Sequence, residues 1–552
     1  MFRPRLAALL LVLVCFGLGT VTYFFSMAPS AASQSALVLA DSSFLLQLHR
    51  ALLVFTHYHP QYEIALAEAP SDYQGVLRRG EAHLAIVQGA EDGPVLFYSP
   101  VLLAVAPLDT RENVTLARAR QLVQGYDPMG ELQLVSLDSV QSRGFMKPGE
   151  VTPIDYGQRA AWLRALMVDG AVPDYENVRS GRYPLTTPAV AKRPQGWLWR
   201  YFKKESEAAR AFLDFLESPR GQEALYGHEP EIVFIALGDV MLARHVATKM
   251  KEHGLDYPFA RVKDLLASGD LVFANLESPL GVKGTPIPNK LIWFRGPPEG
   301  ASVLRNAGVH VVSLANNHIL DYDSENLIET LELLDQHEIA WTGAGRDLQE
   351  ARRPAILKID GVTVAFLAYT EFASANLFWS YQYPRTFLAG PGVPGCAPMD
   401  LSMVTEDVAR ARNQADVVVV SYHWGQEYVN HPQSFMGQDL QEVARRTIDA
   451  GADMVLGHHP HAIQGIEIYR GSIIAYSLGN FVMDQTRPVT TESMMLRIGL
   501  SKSGARSLQV LPVRISEHRP ALATGDDAKY IMDKIRAISL PLYPQPAELQ
   551  HR

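Results

Sequence analysis

The stretch Gly457-His458-His459-Pro460-His461 decides how this sequence is interpreted. It follows the apolar run 454–456, and three more groups of potential metal ligands follow apolar runs upstream. These groups are Gly238-Asp239, Asn316-Asn317-His318 and His423-Trp424-Gly425-Gln426-Glu427. Short apolar runs of this kind are typical of buried strands, and an open α/β sheet offers ligands the loops that follow its strands. The sequence therefore predicts a metal site assembled from loops at one edge of a sheet.

Strand and helix patterns alternate around these groups, which predicts an α/β fold with a parallel or mixed sheet covered by helices. Asp323 or Ser324 can cap a helix over residues 325–337, and a second helix over 438–450 ends at Gly451, where the left-handed conformation suits a helix end. The predicted strands cover residues 232–237, 271–274, 309–314, 362–368, 417–422, 454–456 and 473–476.

Length and composition limit what class of protein this chain can belong to. A chain of 552 residues exceeds what one core usually holds, so two or three domains are expected. A hydrophobic content of 47% with 20% charged residues is ordinary for a folded protein. The 50 basic and 59 acidic residues give a net charge of -9 without a basic block, which argues against nucleic acid as a partner.

The amino terminus predicts export. Arg3 and Arg5 precede the apolar residues 6–25, and small residues fill 26–33. A stretch of about 20 apolar residues is also long enough to span a bilayer, so a cleaved signal peptide and a retained anchor both remain open. The protein is then expected in the periplasm, or anchored in the membrane and facing the periplasm or cell exterior. Beyond this stretch Cys396 is the single cysteine, which excludes an intrachain disulfide there.

The expected organisation is a signal or anchor at 1–33, one domain at 34–228, a second at 231–485, and closing strands, a helix and a tail at 486–552. The first half resembles phosphate-type periplasmic solute-binding proteins, which implies an α/β domain. The resemblance lies in residues 80–86, 180–185 and 211–222. The Ser/Thr/Gly-rich loops that hold the anion in that family are not evident, so a recognition or scaffolding domain is the alternative.

The residue types themselves indicate a divalent metal. His459 and His461 flank the stiff Pro460, so they can be aimed at adjacent coordination positions, and imidazole with carboxylate suits zinc, manganese or iron. Taken singly, the groups at Asp239, Glu277, 317–318 and 423 also have a plainer interpretation as a turn, a solvated carboxylate or a hydrogen-bonded histidine, whereas three imidazoles within residues 458–461 are hard to explain as packing. Together the candidate donors exceed what one tetrahedral ion uses, which predicts two neighbouring ions. These donors are Asp239, Glu277, Asn317, His318, His423, His459 and His461.

Residues 231–485 resemble the CapA family of capsule (poly-γ-glutamate) synthesis proteins, whose domain belongs with the calcineurin-like metallophosphoesterases. The matching motifs come in the family's order. They are Gly238-Asp239-Val240-Met241-Leu242, Asn275-Leu276-Glu277, Ala315-Asn316-Asn317-His318 with Asp321, Thr342-Gly343-Ala344-Gly345, His423-Trp424-Gly425-Gln426-Glu427-Tyr428, Gly451-Ala452-Asp453, the cluster 458–461 with Gln464, and Ser477-Leu478-Gly479-Asn480-Phe481.

The resemblance implies a four-layer αββα sandwich that holds two metals and a bridging water. Asp239 would then bind one metal, Glu277 would bridge, and Asn317 would bind the second metal beside His318 as the acid or oxyanion-stabilising group. His423, His459 and His461 would complete the coordination. The chain departs from the wider pattern at Met241, where the pattern has His, and at Glu277, where Asp is usual.

The catalytic residues expected on this basis are His318, Asp239 and His423. Glu427, Arg295, Trp424 and Asn480 are expected on the substrate side, with core packing as the alternative for the aromatic residue.

The resemblance favours an exported, membrane-associated metal-dependent hydrolase that cleaves a phosphoester or an amide such as a γ-glutamyl link. Its expected partners are an anionic polymer or a phosphorylated or γ-glutamyl substrate, the membrane, and envelope synthesis machinery. A non-catalytic accessory of capsule-polymer synthesis or export is the alternative. A solute sensor, with the first half binding a small anion, is a third possibility.

Overall fold

The computed structural model describes residues 34–89, 94–127, 129–143, 145–147, 149–161, 163–193, 206–288, 290–374 and 386–543. The predicted signal or anchor at 1–33 and the end of the tail lie outside these residues. Among the described helices, none has the length and apolar character needed to cross a bilayer. The chain divides into two compact units. The first takes in the described residues up to Phe97 with Pro188–Leu225, and the second takes in Tyr98–Thr187 with the described residues from Tyr226 onward. The domain limits expected at 228, 231 and 485 stay predictions.

The first part of the chain forms short strands. They are β1 (Ser35–Ala40), β2 (Glu63–Glu68), β3 (Leu84–Gln88), β4 (Val95–Pro100), β5 (Leu102–Val105), β6 (Asn113–Val114), β7 (Gln133–Leu134), β8 (Glu150–Ile154), β9 (Arg164–Ala165), β10 (Met167–Val168) and β11 (Thr186–Lys192). The first unit is built on a sheet of order β2-β1-β3-β11-β4, whereas β7-β8-β5-β9 and β10-β6 form smaller sheets. The helices of this part are Leu45–Tyr58, Tyr73–Arg79, Leu116–Val123, Leu137–Arg143, Tyr175–Arg179, Glu207–Glu217 and Pro219–Tyr226.

The rest of the chain, all in the second unit, has longer strands. They are β12 (Ile232–Val240), β13 (Leu271–Leu276), β14 (Val311–Ser313), β15 (Ala340–Thr342), β16 (Ala344–Gly345), β17 (Ala355–Ile359), β18 (Val362–Thr370), β19 (Gly395–Cys396), β20 (Val417–His423), β21 (Met454–His458), β22 (Ile466–Tyr469), β23 (Ser472–Ala475), β24 (Asn480–Val482), β25 (Glu492–Ser501), β26 (Gly504–Ser516) and β27 (Arg519–Leu522). The helices are Arg244–His253, Lys263–Leu266, Gly300–Asn306, Asp323–Gln336, Leu348–Ala351, Leu401–Arg412, Leu440–Asp449 and Gly525–Ser539.

Two sheets organise these strands. One has the order β15-β14-β13-β12-β25-β26-β27, with β24 also paired to β12, and the other has the order β17-β18-β20-β21-β23-β22. Strands β12 to β15 are mutually parallel, and so are β18, β20, β21 and β23. Within each set, the carboxyl ends of the strands therefore lie at one edge of the sheet.

Alternating side chains explain why the two sheets pack face to face. Phe234 and Ala236 of β12 share one apolar cluster with Val364 and Phe366 of β18, between the sheets. Successive strand residues point to opposite faces, so Ile235 instead packs with the helices over 244–253, 300–306 and 323–336. The outer face of the second sheet packs in the same way against the helices over 401–412 and 440–449.

The predicted mixed α/β fold is confirmed, whereas its assignment to the metallophosphoesterase class stays a prediction. The helix expected over 325–337 is confirmed as Asp323–Gln336, but the cap expected from Asp323 or Ser324 is wrong, because both residues lie inside the helix and the preceding residue, Tyr322, makes no side-chain capping bond. Asp323 itself has φ 63°, and its carboxylate accepts from the Ser324 N–H. At the end of helix Leu440–Asp449, Gly451 has φ 115°, the positive value expected there.

Candidate metal centre

Strand ends bring the predicted donors together. Asp239 is the penultimate residue of β12 and pairs in register with Asn275, the penultimate residue of β13. In the second sheet His423 ends β20 and pairs with His458, which ends β21. Asn317 follows β14. The site thus lies where the carboxyl ends of parallel strands meet, the usual ligand position in open α/β sheets.

Glu277, directly after β13, is the most informative residue of the site. It is fully buried, and both carboxylate oxygens lack a hydrogen-bond partner among the described residues. Burial, together with the charge of Asp239, raises its pKa well above the usual range. Its Oε1 lies 3.8 Å from His423 Nε2 and 3.7 Å from His461 Nε2. These distances are too long for hydrogen bonds, but two ligands that each lie about 2.1 Å from one ion are separated by about 3 to 4 Å.

Asp239 is held as a carboxylate. Its Oδ1 accepts from Asn275 Nδ2 at 2.8 Å and lies 3.2 Å from His458 Nδ1, and its Oδ2 accepts from the His459 backbone N–H at 3.2 Å. Burial acts to raise the pKa of this carboxyl, but the neighbouring imidazoles of His458 and His461 hold the pKa well below its usual range. A negative oxygen is therefore available beside the imidazoles.

The imidazoles differ in charge. Burial, followed by neighbouring imidazoles, lowers the pKa of His423 and of His459 well below the usual value, so both rings are neutral and offer a lone pair. His423 Nε2 lies 2.9 Å from Asn317 Oδ1 and 3.1 Å from His459 Nδ1. For His461, burial disfavours the proton, but Glu277 and Asp239 raise the pKa to about 10. A metal cation held between those carboxylates would replace that proton.

Three overlapping groups of side chains are arranged as metal ligands, with the donor atoms of each group within 4.8 Å of one another. They are Glu277 with His423 and His459, Asp239 with Glu277 and His461, and Glu427 with His459 and His461. The unpartnered Glu277 oxygens and the neutral imidazoles fit divalent-metal chemistry. The described residues can therefore hold a metal ion.

His318 belongs to none of these three groups. Its Nδ1 lies 2.7 Å from Asp321 Oδ2 and 3.3 Å from Lys290 Nζ, and the buried lysine also forms an ion pair with Asp321. Phe294 stacks on the imidazole with ring centroids 4.0 Å apart. Burial, then the lysine charge, lowers the pKa of His318 to about 4. His318 is therefore a neutral, firmly oriented imidazole beside Asn317.

The residues expected on the substrate side divide by location. Trp424 is fully buried, stacks on Tyr422 and donates to the Tyr476 carbonyl at 2.9 Å, so it packs the core. Asn480 Oδ1 pairs with His461 Nδ1 at 2.8 Å and orients that ring. Arg295 donates to the carbonyls of residues 282 and 283.

Two residues of the site were missed from the sequence. Glu371 accepts from the backbone N–H groups of Gly425 at 2.7 Å and Met436 at 2.6 Å, and also from the Ser434 hydroxyl. It directly follows β18, so the strand-end rule that found the other donors also applies to it. Lys290 lies in an irregular loop and carries no comparable signal.

Comparison with known proteins places the chain in a family. Residues 233–485 match the family model described as "Bacterial capsule synthesis protein PGA_cap". The chain is 34% identical over 295 residues to the "PGA biosynthesis protein CapA" of Bacillus subtilis, covering 53% of this chain and 74% of that relative. The chain belongs to the PGA_cap family. Another relative is the "Capsule biosynthesis protein CapA" of Bacillus anthracis, which is 31% identical, with 53% of this chain and 70% of that protein covered. A "Probable polyglutamine synthesis accessory protein" of Mycobacterium tuberculosis is 32% identical, with 49% of this chain and 72% of that protein covered.

Solved structures outside the PGA_cap family show a weaker likeness. An ABC-type phosphate transport receptor from Vibrio cholerae is 14% identical, with 35% of this chain and 98% of that chain covered and a TM-score of 0.27. A putative phosphate ABC transporter substrate-binding protein from Clostridium perfringens is 16% identical, with 34% of this chain and 96% of that chain covered and a TM-score of 0.26. Scores this low carry no argument about fold or ligand, so the solute-binding resemblance stays a prediction.

Proposed function

We propose that this PGA_cap protein is a metal-dependent hydrolase of capsule or cell-envelope polymer metabolism. One observation carries the proposal: the buried Glu277 carboxylate, with neither oxygen hydrogen-bonded to a described residue, faces Nε2 atoms of His423 and His461 at nearly equal distances. A buried carboxylate without a partner is costly, and a cation between these three groups removes that cost.

Two adjacent ions would account for six of the seven donors expected from the sequence, all except His318. Glu277, His423, His459 and Asn317 would hold one, and Asp239, Glu277 and His461 would hold the other, with the glutamate shared. This is the arrangement of the metallophosphoesterase class, to which we assign the domain. Bound divalent ions would lower the pKa of a water molecule and neutralise charge that develops on substrate oxygens.

His318 is the proposed proton-transfer residue. If Nδ1–H donates to Asp321, the other ring nitrogen, Nε2, is left to exchange a proton with the substrate or with water. Lys290 neutralises Asp321 and keeps the ring uncharged at neutral pH. The imidazole therefore starts each turnover as a proton acceptor of fixed orientation.

The proposed substrate is an anionic polymer or its phosphorylated or γ-glutamyl precursor, and the scissile bond a phosphoester or amide. The names of the relatives, which refer to PGA biosynthesis and capsule biosynthesis, support this class. We further propose that residues 1–33 direct export or anchor the protein in the membrane, beside envelope synthesis machinery, and that residues 34–228 serve recognition.

A second candidate is a non-catalytic accessory protein, and Met241 favours it. Where the wider phosphoesterase pattern has an imidazole, this methionine is fully buried and its sulfur accepts from the Ala243 N–H at 3.0 Å. One metal position thus lacks a ligand that the pattern supplies.

Hydrolysis assays separate the two candidates. The metal-loaded chain is tested against an aryl phosphate and a γ-linked glutamate oligomer, beside His423→Ala and the control Glu442→Gln, an exposed helix residue. A hydrolase gives metal-dependent turnover of one substrate in the wild type and the control, and none in His423→Ala. Turnover that is absent from all three, or equal in all three, contradicts the proposed activity.

A further inference from the structure

The loop that follows β20 brings a further carboxylate to the metal centre. Glu427 is exposed, yet one of its carboxylate oxygens and one nitrogen each of His459 and His461 lie within 4.8 Å of one another. It is the one exposed side chain among the three donor groups. An exposed glutamate gains little from packing, so its approach to the two buried imidazoles serves charge: it adds to the negative field that raises the pKa of His461.

The backbone holds this loop against the histidine loop. The Tyr428 N–H donates to the carbonyl of Pro460, the residue between the two histidines, at 2.7 Å. Tyr428, His459 and His461 have φ values of 66°, 95° and 53°, in the region that side chains other than glycine rarely adopt. Strain of this kind persists only where surrounding structure enforces it, and it clusters at functional sites. The position of Glu427 is thus fixed from both loops.

The negative charges around Glu427 also favour a bound cation. Without a cation, Glu427 adds a third carboxylate near Asp239 and Glu277, and its charge contributes to the raised pKa of Glu277. Three converging carboxylates repel one another, whereas two divalent ions carry more than enough positive charge to offset them. In the metal-free protein the protonated His461 offsets part of this charge, and bound divalent ions would offset all of it.

The need for another ligand is visible at Met241. Its side chain is buried in the core and its sulfur is engaged with the Ala243 N–H, so the ion held by Asp239, Glu277 and His461 receives nothing from this position. We infer that Glu427 is a metal ligand, and that it completes the coordination of the ion on the His461 side in place of the absent imidazole. This inference rests on the proposed function for the existence of the metal centre, and it reassigns Glu427 from the substrate side.

Metal-binding measurements on the full chain test the inference without an activity assay. Wild type, Glu427→Gln, Glu427→Ala and the control Glu442→Gln are stripped, reloaded with Mn²⁺, dialysed and analysed for bound metal, and spin coupling between neighbouring ions is followed by electron paramagnetic resonance. Because Glu427 is exposed, its variants are expected to fold, and unchanged thermal unfolding of the metal-free proteins would verify this.

We expect about two equivalents of bound Mn²⁺ in the wild type and the control. In the alanine variant we expect about one, with coupling lost and the second affinity weakened on the order of tenfold to a hundredfold.

The outcomes separate the two proposals. Two coupled ions in wild type and in both Glu427 variants, with unchanged affinity, would overturn the ligand role and leave the metal centre standing. A wild type that binds no metal overturns both. Restoration of the second ion by Met241→His in the Glu427→Ala background would show directly that the two positions serve the same ion.

Discussion

At the scale of single residues, a substitution of Glu277 should affect the stability of the metal-free and the metal-loaded protein differently. Its raised pKa means that it tends to carry a proton when no cation is present. Glu277→Gln imitates that neutral form, so the stability of the metal-free protein should be unchanged or higher. The variant should nevertheless lose the stabilisation by metal, which is about 2.7 kcal/mol at a ligand concentration of 100 times Kd. Thermal unfolding with chelator and with Mn²⁺ measures both effects. Equal metal stabilisation in variant and wild type would contradict the bridging role.

His318 gives a pH-dependent prediction. Its pKa of about 4 in the folded protein lies below the unfolded value of 6.5, so the unfolded chain binds the proton first as pH falls. Its contribution to stability is therefore complete above about pH 6.5 and is lost as pH falls to about 4. Lys290→Met removes the nearby positive charge, so we expect the pKa of His318 to rise by roughly one unit. The pH range over which the stability is lost should narrow accordingly.

Nuclear magnetic resonance titration of labelled histidine in the metal-free protein measures this pKa. Lys283→Met is the matched control, because this lysine lies in the same loop but is exposed and pairs with Glu332. A His318 pKa that stays at about 4 in Lys290→Met would show that burial alone lowers it.

At the scale of elements, Glu371 fastens the loop that carries Glu427. Its carboxylate accepts hydrogen bonds from residues 425, 434 and 436, and its own backbone N–H donates to the His423 carbonyl at 3.1 Å. Glu371→Ala leaves these buried donors unsatisfied, which should cost about 1 to 3 kcal/mol. Hydrogen exchange should increase over residues 425–437, while Glu371→Gln, which keeps one acceptor oxygen, should show a smaller change. Unaltered exchange in the alanine variant would rule out this fastening role.

The strands were predictable because their chemistry is local. Runs such as Val417–Val420 are β-branched and uninterrupted, as expected for strands buried on both faces, and the observed β20 extends the predicted strand by one residue to His423. The helix start near Asp323 was not predictable, because a positive φ at that residue results from the fold around it. Boundaries of this kind depend on tertiary contacts and not on propensity.

At the scale of the whole molecule, the strand-end rule brought together donors from opposite halves of the sequence of this domain. Asp239 and His459 are 220 residues apart, yet the carboxylate accepts from that residue's backbone N–H. The sequence did not predict the residues that hold the donors and their loops in position. Lys290 reaches the site through an irregular loop whose course no periodic pattern encodes, whereas Glu371 directly follows β18 and could have been found by the strand-end rule.

We propose that this domain of the PGA_cap protein binds a pair of metal ions through Glu277 and the histidine cluster. The most direct measurement is elemental analysis of the purified, reloaded chain beside the double variant His459→Ala, His461→Ala, with Glu442→Gln as the control. The account predicts about two equivalents of a transition metal in the wild type and the control, and loss of both in the double variant. A folded wild type that takes up no metal, or a double variant that retains two equivalents, would contradict it.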